Sequence, residues 1–113
     1  MLFRSDPGLM TWFADEQGKS DLEVMVHMQR CTYSLDVTPH LARIAAPVLA
    51  VYSSHDTHAT PVQEAALRRH VRRLTLVHLP SRHHNLHCTQ PAACATQVLH
   101  FAAAHDGTVC HEA

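Results

Sequence analysis

Glycine is scarce in this chain: Gly8, Gly18 and Gly107 are the only three among 113 residues, and none flanks a serine. No apolar run approaches the ~20 residues that a bilayer-spanning helix needs. The first ten residues, MLFRSDPGLM, are broken by Asp6, Pro7 and Gly8, so they do not read as a signal peptide. No block of like charge occurs, and nine basic against ten acidic residues leave a formal charge of −1. A nucleic-acid footprint and a polybasic membrane patch are therefore not expected. The four cysteines, Cys31, Cys88, Cys94 and Cys110, form no C-x-x-C pair. Without an export signal, they are expected to be reduced cytoplasmic thiols.

What is present is concentrated between Pro47 and Pro91. Val48 to Tyr52 is a short apolar run rich in β-branched residues, bounded by Pro47 and by a polar segment, Ser53–Thr60. It reads as a strand buried on both faces. Leu74 to Leu79 (LTLVHL) reads as a second strand, stopped by Pro80. Between them, Ala65, Ala66, Leu67 and Val71 are spaced for one face of a helix over 62–71, with Pro61 at its entrance. Strand, helix, strand in so few residues implies a parallel pair with a right-handed crossover. Both following loops then open at one sheet edge, where sites form in α/β sheets. Asp56 falls in the first loop and His84 in the second.

That order resembles the C-terminal part of the α/β-hydrolase superfamily. The residues that carry the resemblance are Asp36, Leu41, Ile44, Pro47, Val48, Leu49, Asp56 and Pro61, then Pro80, His84 and Pro91. It spans roughly residues 36–105. The resemblance implies an α/β fold: parallel strands with crossover and terminal helices, preceded by lid-like helices. The expected division is a lid-like segment over 1–35 and the hydrolase portion over 36–113. It further implies that His84 serves as the base of a Ser-His-Asp triad and that Asp56 orients it, with His83 the competing base. The substrate class would be a small acyl compound such as an ester or lactone, with no cofactor. The family's G-x-S-x-G elbow, which precedes the acid in chain order, is absent, as is its oxyanion-hole segment. Gly is also replaced by Ser53 three positions before the acid and by His83 before the base. This chain by itself is expected to be inactive, and to need a complementing chain or a second copy to cover its open sheet.

The rest of the chain fits around that stretch. From Leu9 to Arg30 the pattern is helical with a break at Gly18, and Asp21 is placed to start the second piece. Trp12, Phe13 and the methionines are expected to fill a small core of this lid, or to line a substrate pocket. Pro39 is placed to begin a short helix anchored by Leu41 and Ile44, and Asp36 is given no chemistry. Arg68, Arg69, Arg72 and Arg73 read as a solvated face of the crossover helix and its exit. Residues 92–105 read as a terminal amphipathic helix with Cys94, Val98, Phe101 and Ala102 on its inward stripe.

Twelve histidines support a second class of function, a metal-binding module. His83, His84, His87 and Cys88 lie close together, and His55 and His58 flank Asp56. Imidazole and thiolate suit zinc or copper, but the spacing matches neither H-E-x-x-H nor a paired finger. A third reading is a partner-binding piece without catalysis, because two parallel strands alone leave sheet edges exposed.

Overall fold

A computed structural model describes residues 6–55 and 61–110, which form two units, residues 1–37 and 38–113. The sequence suggests a division after residue 35; the boundary between these units follows residue 37.

The first unit holds helix α1 (Pro7–Gly18) and helix α2 (Leu22–Ser34). Each is started by an aspartate. Asp6 Oδ1 accepts from Leu9 N at 2.9 Å, and Asp21 Oδ1 accepts from Val24 N at 3.1 Å. These caps satisfy amide donors that the first turn leaves without a carbonyl. Pro7 adds a pre-set φ at the start of α1. The break at Gly18 and the restart at Asp21 are therefore as expected, and α2 runs on to Ser34.

The expected lid core is corrected, because neither helix buries a described residue. Trp12 is 52% exposed and Met28 64%, while Phe13 is half-buried. The reason is the order of apolar residues. Val24, Met25 and Val26 are consecutive, so at about 100° per residue they wrap around the helix instead of stacking into one stripe.

The second unit is α/β. Its elements are α3 (Thr38–Leu41), β1 (Val48–Ser53), α4 (Pro61–His70), β2 (Leu74–Leu79), α5 (Leu86–Thr89) and α6 (Pro91–His105). β1 and β2 pair in parallel from Val48↔Leu74 to Ser53↔Leu79, so the strands end level with each other. The crossover helix α4 ends at His70, and Val71 closes it by donating its N–H to Leu67 O at 2.9 Å. Among the described residues, Val71, Leu79 and Leu86 are the buried apolar ones. Arg68, Arg69, Arg72 and Arg73 are all exposed, as a solvated face requires.

Two expectations of burial are corrected. β1 is half-buried along its length except at Ser53, because two strands and their helices do not enclose it on both faces. In α6 the half-buried residues include Cys94, Gln97, Phe101 and His105, while Val98 is 53% exposed and Ala102 is also exposed. An alanine-rich helix has little contrast between its faces. Its packing partners, α5 and β1, therefore set the inward stripe. Among the described residues, no helix is long and apolar enough to cross a membrane.

Candidate functional site

Because β1 and β2 end level, the segments leaving them start side by side, and three serines stitch them together. Ser54 N donates to Leu79 O at 3.0 Å, extending the strand ladder by one residue, and its Oγ donates to the same oxygen at 3.1 Å. The next crossing is centred on the Ser81 carbonyl. It accepts the His55 N–H at 3.1 Å and the hydroxyl of Ser53. Ser53 is 6% exposed, so its hydroxyl needs a partner inside the protein, and this bond supplies it. Ser81 Oγ then accepts the His83 N–H at 3.0 Å, which turns the chain towards His83 and His84.

Beyond that turn, the loop is held from its far side. Leu86 N donates to His84 O at 3.0 Å, and the side chain of Leu86 is buried at 5% exposure. Gln90 Nε2 reaches back to the Pro80 carbonyl at 3.1 Å. The histidine pair is thus fixed between the Ser81 turn and the Leu86 anchor. Within it, His83 is half-buried and His84 exposed.

Of the sequence-derived site residues, His84 and His83 sit on the loop after β2, at the carboxyl edge of the sheet. Asp56, the expected acid, lies outside the described residues, as does His58. His55 ends the described part of the first loop, and its amide touches the Ser81 carbonyl of the second. Among the described residues, no three histidine, cysteine, aspartate or glutamate side chains come together in a group that could hold a metal ion. His87 and Cys88 follow the pair on α5, with Cys88 N bonded to Asn85 O at 3.0 Å.

Sequence reasoning missed the structural role of Ser53 and Ser81. Ser53 registered there only as a replacement for glycine. No residue other than Gly107 has a positive φ among those described, so the end of β1 does not need glycine's backbone freedom. The available signal was a hydroxyl at each of two adjacent strand-to-loop exits, Ser53 ending β1 and Ser81 two residues past the end of β2, where backbone carbonyls leave the ladder.

An imidazole at this edge can take a proton from a hydroxyl nucleophile and pass it to a leaving group, provided that a carboxylate fixes its tautomer. Comparison with known proteins finds no matching family model, no matching curated protein and no matching solved structure.

Proposed function

We propose that this chain carries the acid–base half of an α/β-hydrolase-type triad, acting on a small ester, lactone or related acyl compound. In this reading His84 is the general base and Asp56 orients its ring. The nucleophile comes from another polypeptide segment, since the 113 residues contain no G-x-S-x-G elbow. The observation that supports the reading is the stitching of the two loops. The His55 N–H on the Ser81 carbonyl joins the residue before Asp56 to the turn that presents His84. A triad needs a carboxylate within reach of the imidazole, and in this reading Asp56, next in sequence to His55, supplies it. The 113-residue chain lacks an attacking group and oxyanion donors, the latter often worth about 3 kcal/mol each, so it has no ester turnover of its own.

The test is the tautomer of His84, read from long-range proton–nitrogen correlation spectra. The expected result is a proton on Nδ1 in the natural chain, moved to Nε2 in Asp56→Ala. A His84 spectrum unchanged by Asp56→Ala would overturn the pairing. The same change appearing at His83 would reassign the base. Hydrolysis of p-nitrophenyl acetate that disappears in both Asp56→Asn and His84→Ala would sink the claim that the nucleophile lies elsewhere.

A further inference from the structure

On the crossover helix, Glu64 holds two basic side chains at once. Its Oε1 accepts from Arg68 Nε at 3.0 Å and Nη2 at 2.9 Å, one helical turn along. Its Oε2 lies 2.8 Å from His78 Nε2, on β2. The Arg68 pair is local and fastens nothing. The His78 pair crosses from helix to sheet, and it joins the two elements that the strand–helix–strand step brings together. His78 also stands beside Tyr52 of β1, with ring centroids 6.2 Å apart, at the registered position Tyr52↔His78.

We propose that Glu64 and His78 form a pH-gated clasp, holding α4 to β2 most firmly in mildly acidic conditions and less firmly on either side. This inference is independent of the hydrolase reading. An imidazole changes charge between about pH 5 and 8, within reach of small changes of environment. Protonated, it makes an ion pair with the Glu64 carboxylate. Neutral, it still donates a hydrogen bond to the carboxylate, but the attraction between opposite charges is lost.

The acid limb follows from Glu64 itself. Hydrogen bonds from His78 and Arg68 hold its carboxyl below the ordinary value of 4.5. A group lowered on folding contributes above its ordinary value, and the contribution is lost as pH falls through the lowered one. Both ends of the clasp are partly exposed, 40% at the His78 side chain and 25% at Glu64, so the gate is modest. The other groups to be separated from it are Arg68 and His70 on α4, Tyr52 on β1, and His40 on α3, which packs on α4, with Arg43 in the turn after α3. Arginine side chains do not lose their charge in proteins. Burial, and then Glu64, push the Tyr52 phenol up, away from the range in question. His40 and His70 are further imidazoles in this unit, so single variants do not isolate the clasp.

A double-variant cycle does isolate it. Amide hydrogen exchange across α4, corrected for intrinsic rates, is measured for the natural chain, Glu64→Gln, His78→Gln and the double variant at pH 3, 5.5 and 8. The expected coupling is a roughly two- to five-fold gain in protection at pH 5.5, smaller at both extremes. Coupling equal at all three values, or absent at pH 5.5, would overturn the proposal. A second readout guards against loss of α4 in the variants: the carbon-13 titration of the Glu64 carboxyl. Its midpoint lies below the ordinary value in the natural chain and rises in His78→Gln. An unmoved midpoint also rejects the clasp.

Discussion

The two units of this chain form regular structure by different means. Helices α1 and α2 are specified locally, by Asp6, Pro7 and Asp21 at their starts, and they bury none of their described residues. Leu22 is 73% exposed and Tyr33 83%. The α/β unit is specified by residues far apart in sequence. Val71, Leu79 and Leu86 are buried together with Ser53, and the loops are joined through Ser81. Helix boundaries can therefore be written by caps alone, whereas burial requires a second element that presents a matching face.

That contrast can be broken most severely at Leu86. Leu86→Ala removes a buried side chain that anchors the histidine loop, and it is expected to destabilise the α/β unit by about 2–4 kcal/mol. The paired control is Leu22→Ala on α2, expected to change stability by less than about 0.5 kcal/mol. Urea titration followed by exchange in each unit would read both, and equal losses would erase the distinction between them. Next in size is Asp21→Ala. It removes the α2 cap and is expected to cost about 1 kcal/mol, read as faster exchange in the first turn of α2 with the α/β unit unchanged. A matching loss in β1 and β2 would show that the units are coupled. An effect of the same size, about 0.5–1.5 kcal/mol, is expected from Ser53→Ala, held down because the Ser81 carbonyl keeps the His55 N–H as a donor. Faster exchange of the His55 amide is the specific readout.

Much of the fold was legible because its signals are short-range. Pro47 and Pro80 bound the strands, Pro61 and Pro91 open helices, and the helical segment between two apolar runs required a parallel pair. The orientation of α6 was not legible. Its alanines present no dominant face, so the choice of Gln97 and His105 over Val98 and Ala102 depends on what lies against them. The wrapped apolar residues of α2 misled in the opposite sense, since their hydrophobicity promised a core that their spacing could not assemble. At the candidate site, the sequence pointed to the chemically capable side chains, Asp56 and His84. The hydroxyls of Ser53 and Ser81 escaped notice because their roles exist only once the two strand ends meet.

The parallel register also sets an order of events as the chain acquires its structure. Val48 meets Leu74 only after the whole of α4 lies between them, so every β1–β2 contact carries the closure entropy of that crossover. Helices close on the microsecond scale from neighbouring residues, and pairing of distant strands is slower. During synthesis, α1 and α2 can form while β1 still waits for a partner that has not left the ribosome. In that interval the run VLAVY is an uncharged, β-prone segment with both edges open, the kind of stretch most apt to pair with another chain. The kinetic weak point of this protein is therefore the strand that the finished structure places beside its candidate site.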